Sequence, residues 1–119
     1  MKQKITKKKG NGLFFERCYA LLRKVPRGKV TTYKALAEAL GTKAYRAVGQ
    51  AMNRNPYAPQ VPCHRVVASD GSIGGFAHGT KKKIEMLKKE GVVCRQVNGK
   101  QTILDFKKKM YFFEDNSYE

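Results

Sequence analysis

Gly41 is the position that most restricts how this chain can fold. Upstream of it, Tyr33, Leu36, Ala37 and Leu40 recur on one helical face, and Thr31 or Thr32 offers an N-cap hydroxyl. Gly41 then stops the helix, because glycine enters the left-handed conformation of a helix end with little steric cost. After a short turn, the Ala- and Gly-rich stretch Tyr45–Asn53 predicts a second helix. Two helices joined by a tight glycine turn form the helix-turn-helix pattern.

Other breakers divide the rest. Phe14, Cys18, Leu21, Leu22 and Val25 predict a helix from Leu13 to Val25, started by Asn11 or Gly12 and ended by Pro26, which disfavours helical geometry at Val25. Arg27-Gly28-Lys29 reads as a turn. Asn55 to Pro59 breaks helix and leads into an extended run, Val61–Ala68. Ser69 to Ser72 reads as a turn and Ile73 to Phe76 as resumed extended chain, a hairpin-like wing. Thr80–Lys89 predicts a helix with Ile84, Met86 and Leu87 as its apolar positions and Gly91 as its stop. Val92–Val97 and Gln101–Leu104 read as short strands around an Asn98-Gly99 turn. The expected fold is mainly α, a winged helix-turn-helix-like domain with a small β wing. Residues 1–10 read as a flexible basic arm, 11–113 as the single folded domain, and 114–119 as an acidic frayed tail.

Charge narrows the partners. The 25 Lys and Arg against 9 Asp and Glu give a net charge of +16, a field that draws polyanions, nucleic acid foremost. A solubilising lysine surface is the plainer reading of the same number. No apolar run reaches the roughly 18–20 residues of a membrane span, and the basic N-terminus has no apolar stretch of the kind that makes a secretory signal. Cys18, Cys63 and Cys94 are odd in number and widely spaced, so they do not form a disulfide framework. A reducing cytoplasm is expected, and with no C-x-x-C pair and 2 His, no metal site.

Cys63 lies in Val61-Pro62-Cys63-His64-Arg65-Val66. A cysteine attacks as its thiolate and needs a lowered pKa or a nearby base. His64 and Arg65 both favour the anion, although neighbours on an extended chain point to opposite faces. Direct bonding to His64 is therefore awkward, and a bridging water solves the geometry. Locally two readings stand, a nucleophile and a small buried hydrophobe.

The run from Val61 to Val67 resembles the signature of the O6-alkylguanine–DNA alkyltransferases. Gly28 to Ala37 resembles the start of that family's first DNA-binding helix. Tyr45 to Met52 resembles its recognition helix, and Leu87 to Gly91 its last catalytic segment. The order and spacing agree from about Leu13 to Val92. The resemblance implies a stand-alone C-terminal catalytic and DNA-binding domain that uses no cofactor. It implies direct DNA repair, with an alkyl group passing irreversibly from O6-alkylguanine to the protein's own cysteine in a single turnover.

Carried over residue by residue, Cys63 is the acceptor, His64 the water-mediated base, Glu90 the carboxylate that orients His64, and Tyr33 the donor to the departing guanine. Arg46 enters the base stack in place of a flipped nucleotide. Ala47, Gly49 and Thr32 join it at the DNA, where small residues suit close approach in the minor groove. Small residues also let a helix pack on its neighbour. Asn55 ties the recognition helix to the active-site segment. Val66, Met52, Phe76 and Ala77 form the substrate pocket. Ala77 stands where many members carry serine, and His78 where glycine is often found, so a benzyl-sized adduct is expected to react more slowly than methyl.

The expected partner is double-stranded DNA containing alkylated guanine. The protein is expected to be a monomer in a prokaryotic cytoplasm, at the nucleoid when bound. Two alternatives stand beside this reading. A non-catalytic alkyltransferase-like lesion sensor often carries tryptophan in place of the cysteine, whereas this chain has Cys63 and no Trp. A winged-helix DNA-binding regulator needs long base-reading side chains, which Tyr45–Asn53 offers sparsely.

Overall fold

The computed structural model describes residues 9–74 and 79–113. Its elements in chain order are α1 (Lys9–Leu22), β1 (Thr31–Thr32), α2 (Tyr33–Ala39), α3 (Tyr45–Asn53), a 3-10 turn (Cys63–Arg65), β2 (Val66–Val67), α4 (Thr80–Lys89), β3 (Cys94–Val97), β4 (Lys100–Ile103) and α5 (Phe106–Lys109). The architecture is mainly helical with two small sheets, as expected.

The helix-turn-helix follows local chemistry closely. Thr32 is the cap of α2, its Oγ1 accepting from the Ala35 N–H at 2.9 Å. Gly41, at φ +74°, closes the helix: its N–H donates to Glu38 and that of Thr42 to Ala37. These two bonds are the Schellman arrangement, which satisfies carbonyls the helix leaves over. The same device ends α4, where Gly91 donates to Lys88 and Val92 to Leu87, placing Glu90 at the cap. Helix α3 packs Val48, Ala51 and Met52 inward. They join Cys18, Tyr19 and Leu22 of α1 in a core that also contains Leu36, Val61, Cys63 and Val66. A second core lies under the hairpin and α4, from Val30, Val67, Ile73, Leu87, Val92 and Ile103.

Four expectations change. The first helix runs Lys9–Leu22 and starts inside the stretch read as an arm; residues 1–8 and the tail at 114–119 lie outside the described residues. It ends before Val25, because Lys24 and Val25 already bond three residues back, to Leu21 and Leu22, tightening the chain ahead of Pro26. The run Val61–Ala68 is not one extended strand. Pro62, at φ −80° and ψ 71°, makes a tight turn in which Cys63 N–H donates to Val61 at 2.8 Å, and a 3-10 turn follows. Finally, among the described residues Val66–Val67 does not pair with the chain after Ser72. It pairs in parallel with Thr31–Thr32. The Ile73 N–H instead donates to Gln101, so this turn docks on the β3–β4 hairpin. That hairpin is antiparallel and turns on Asn98 and Gly99, both at positive φ, as the Asn-Gly pair predicts.

Candidate active site

The 3-10 turn sets the site. It seats Cys63 and His64 in the interior, 4% and 3% exposed, and sends Arg65 toward the end of α4. There Glu90 receives three hydrogen bonds. Arg65 binds it in a fork, Nε to Oε1 and Nη2 to Oε2, both at 2.8 Å. His64 Nε2 meets Oε2 at 2.9 Å. The remaining Arg65 nitrogen, Nη1, donates to the Val25 carbonyl at 2.9 Å, tying the pair to the end of the first core. Arg65, read from the sequence as a second cation beside the thiol, is thus the carboxylate's partner.

The electrostatics follow from burial and pairing. Burial pushes the His64 imidazole below its ordinary value, against the opposing pull of Glu90. Burial acts on the Glu90 carboxyl in the upward sense, but its hydrogen bonds from Arg65 and His64 prevail and hold it below the usual carboxylate range. With Nε2–H donated to a carboxylate and the ring neutral, His64 keeps Nδ1 as an acceptor. Burial, and then the neighbouring Cys63, push the Tyr33 hydroxyl up, so it stays a protonated donor.

A cavity of about 510 Å³ opens on Cys63, His64 and Glu90. Ala58, Pro59 and Met86 form its apolar wall, and Arg27, Lys82 and Lys89 stand around it. Tyr33 comes to Cys63 from α2, with Gly74 against its ring: a Cβ there would sit 3.6 Å from the hydroxyl. Tyr33 also lines a groove with Tyr45, Arg46, Gly49 and Asn53 on the outside of α3. Asn55 spans the two parts. Its Nδ2 donates to Val61 at 2.7 Å and its Oδ1 accepts from Tyr57, so the end of α3 and the approach to Cys63 are joined through one side chain.

Not every predicted residue is at an open surface. Thr32 is buried and its hydroxyl caps α2. Met52 and Val66 are buried in the same core as Cys63. Arg46 is exposed, and Ala47 and Gly49 are half-buried. Phe76, Ala77 and His78 lie outside the described residues. Among the described residues no group of His, Cys, Asp or Glu is arranged to hold a metal.

Lys83 is the residue sequence reasoning missed. It is fully buried, and its Nζ donates to the carbonyls of Val66 and Ile73, each at 2.7 Å. Burial pulls its ammonium down to about 8, while Cys63 and Cys94 favour its charge. The signal was the helical spacing: Lys83 stands four residues before Leu87, on the inward face of α4, hidden within a run of three lysines.

Residues 13–92 match the family profile described as 6-O-methylguanine DNA methyltransferase, DNA binding domain. The chain is 42% identical over 101 residues to a bifunctional methyltransferase/endonuclease of Picrophilus torridus, covering 84% of this chain and 32% of that protein. It is 53% identical over 70 residues to a methylated-DNA–protein-cysteine methyltransferase of Pyrobaculum aerophilum, covering 59% and 47%. The chain thus spans about a third to a half of the curated relatives it matches. Among solved structures it resembles S. pombe Atl1 in complex with damaged DNA containing O6-carboxymethylguanine, with a TM-score of 0.73 at 31% identity over 83% of this chain and 94% of that one. It also resembles the O6-methylguanine-DNA methyltransferase of Pyrococcus kodakaraensis, with a TM-score of 0.62 at 52% identity over 66% and 46%.

Proposed function

The chain belongs to the 6-O-methylguanine DNA methyltransferase family, and we propose that it repairs DNA directly by taking the alkyl group of an O6-alkylguanine irreversibly onto Cys63. The observation that carries this reading is the cluster at one cavity, a buried thiol and a histidine held by Glu90 at 2.9 Å, with Tyr33 close enough from α2 to feel the thiol's charge.

The chemistry runs as follows. The thiol proton passes through a water to His64 Nδ1, and Glu90 holds the resulting imidazolium. The sulfur attacks the alkyl carbon, an S–C bond forms, and the C–O6 bond breaks with its electron pair moving into the guanine. The Tyr33 hydroxyl donates to the leaving base and is reprotonated from the relay. In net, the thiol proton replaces the alkyl group on guanine, and the protein is spent. A thiol 4% exposed cannot meet a stacked base, so the guanine is flipped, with Arg46 filling its place from the minor groove. The damaged-DNA complex of the similar S. pombe Atl1 supports a duplex carrying alkylated guanine as the partner. The narrowing expected from His78 falls outside the described residues, and the described walls leave about 510 Å³ beside the thiol. The folded unit, from α1 at Lys9 to residue 113, acts as the catalytic unit, monomeric and cytoplasmic. No helix among the described residues is long and apolar enough to cross a membrane.

Mass spectrometry after mixing with an O6-methylguanine duplex tests the reading. One methylene unit is expected on the Cys63 peptide and none on those of Cys18 or Cys94. Cys63→Ala is expected to bind the duplex without reacting. Intact binding with an unmodified Cys63 in the parent protein would instead identify a lesion sensor.

A further inference from the structure

Residues 93–113 lie beyond the part of the chain that matches the family profile. After the β3–β4 hairpin, α5 carries Lys107, Lys108 and Lys109, and the chain then runs alongside β1. The Val30 N–H donates to Lys109 at 2.9 Å and the Tyr111 N–H to Val30 at 2.8 Å, which sets Met110 beside Val30, just ahead of Thr31–Thr32. In this extended stretch alternate residues face opposite ways. Tyr111 and Phe113 turn to the first core, and Phe112 between them is 74% exposed.

Phe112 borders a groove of about 500 Å³ with Phe106, Lys107, Lys34 and Ser69; Glu38 is the one acidic residue among the described residues that line it. The groove is not isolated. Lys34 and Ser69 also line the next one, which holds Tyr33 and Tyr45. Tyr33 and Tyr45 in turn line the groove of Arg46 and Gly49 on α3. One surface therefore runs from the outside of α3, past Tyr33, to Phe112.

We propose that the C-terminal segment Phe106–Phe112 extends the DNA-binding face and holds the sugar–phosphate strand flanking the flipped guanine. The proposal rests on the DNA-repair reading above. A DNA strand presents both phosphate and deoxyribose, and this groove supplies the chemistry for each: Lys34 and Lys107 for phosphates, Phe106 and Phe112 for the apolar faces of sugars. Continuity with the groove of α3 places that strand beside the lesion. The surrounding charge, with Lys108 and Lys109 next in sequence, favours a polyanion over an apolar protein partner.

The test uses the full chain with Phe112→Ser and Lys107→Gln, alone and together. Three quantities are measured: affinity for an O6-methylguanine duplex as a function of salt, transfer from free O6-benzylguanine base, and mass in solution. The double variant is expected to bind the duplex about tenfold more weakly, with Lys107→Gln lowering the salt slope by about one. Transfer from the free base, which needs no flanking strand, is expected to be unchanged, and Lys107→Arg is expected to restore the slope. Unchanged duplex affinity and slope would overturn the proposal. So would a joint loss of free-base transfer and thermal stability, which would make the segment a structural strap, or conversion of a dimer to a monomer, which would make the occupant a second copy. A parent protein that reacts with free base yet does not bind duplex would overturn the DNA-repair reading itself.

Discussion

On one side of Cys63 the charged and polar groups Arg65, His64 and Glu90 are tied to one another; on the other, side chains are withheld. Glu90, with its side chain 8% exposed, is bonded by both Arg65 and His64, and Arg65 reaches on to Val25. Across the thiol, α3 turns Val48 and Ala51 into the core while its outer face carries Ala47 and Gly49. A Cβ at Gly49 would meet nothing within 4 Å among the described residues. Packing within the chain therefore does not require this glycine, and the plainer account of the small residues fails at this position. The side proposed for the reaction gains precision from pairing, and the side proposed for DNA gains room from missing atoms. The first kind of site should fail when a partner is removed, the second when an atom is added.

Glu90→Gln should have the largest effect. It leaves the Arg65 guanidinium without its carboxylate and His64 without a charged acceptor. Transfer to Cys63 should fall about 100-fold, in the range expected for loss of general base action. Breaking one partner out of a largely buried pair should cost about 3 kcal/mol in urea unfolding. The acid limb should change as well. Glu90 in the folded protein lies below its ordinary value, so its contribution is present above the unfolded carboxyl's pKa and is lost as pH falls through the folded one. The glutamine variant should lose less stability over that acid window than the parent. A variant with parental rate and stability would show that the pairing is not what builds this side.

Lys83→Met probes the same side through a cation that the sequence hid. Methionine removes a buried charge but leaves the carbonyls of Val66 and Ile73 without their donor, a loss of about 2 kcal/mol. The sign with pH is specific. Burial holds Lys83 near 8, against roughly 10.4 for an unfolded lysine. Between those values the unfolded chain binds more protons, so the cost of burying this charge fades as pH rises. The stability gap between parent and variant should therefore widen from pH 8 to pH 10. A gap independent of pH would mean that Lys83 is not buried as a titrating ammonium.

The contrast between the two sides also decides what sequence could reveal. The bounds of α3, a cap at Thr31 or Thr32, the Gly41 stop and the Asn98-Gly99 turn were all legible, because each depends on residues within a few positions; the structure settles the cap on Thr32. Cys63, His64 and Glu90 were legible through a family signature, and the structure brings them to one cavity. The parallel pairing of Thr31–Thr32 with Val66–Val67 was not, since two-residue strands have no alternation to read. Lys83 and the Met110–Val30 bridge were hidden for a related reason: their partners lie 10 or 17 residues away in one case and at the far end of the chain in the other. The 3-10 turn at Cys63 arises from how Pro62 closes on Val61, where propline-containing extended chain was the natural local reading.

Gly49→Ala should have the smallest effect and gives the sharpest test of the DNA side. Glycine inside a helix costs about 0.5–1 kcal/mol relative to alanine. With open space around the new methyl, the variant should be more stable by that amount in thermal or urea unfolding. Binding to an O6-methylguanine duplex should weaken by about 1 kcal/mol, roughly fivefold, if the helix approaches the groove closely enough for one methyl to intrude. The opposite signs carry the argument: a packing glycine would lose stability on substitution, and an indifferent one would leave binding alone. Gain in one with loss in the other would mean that the helix gives up its own stability to let DNA in.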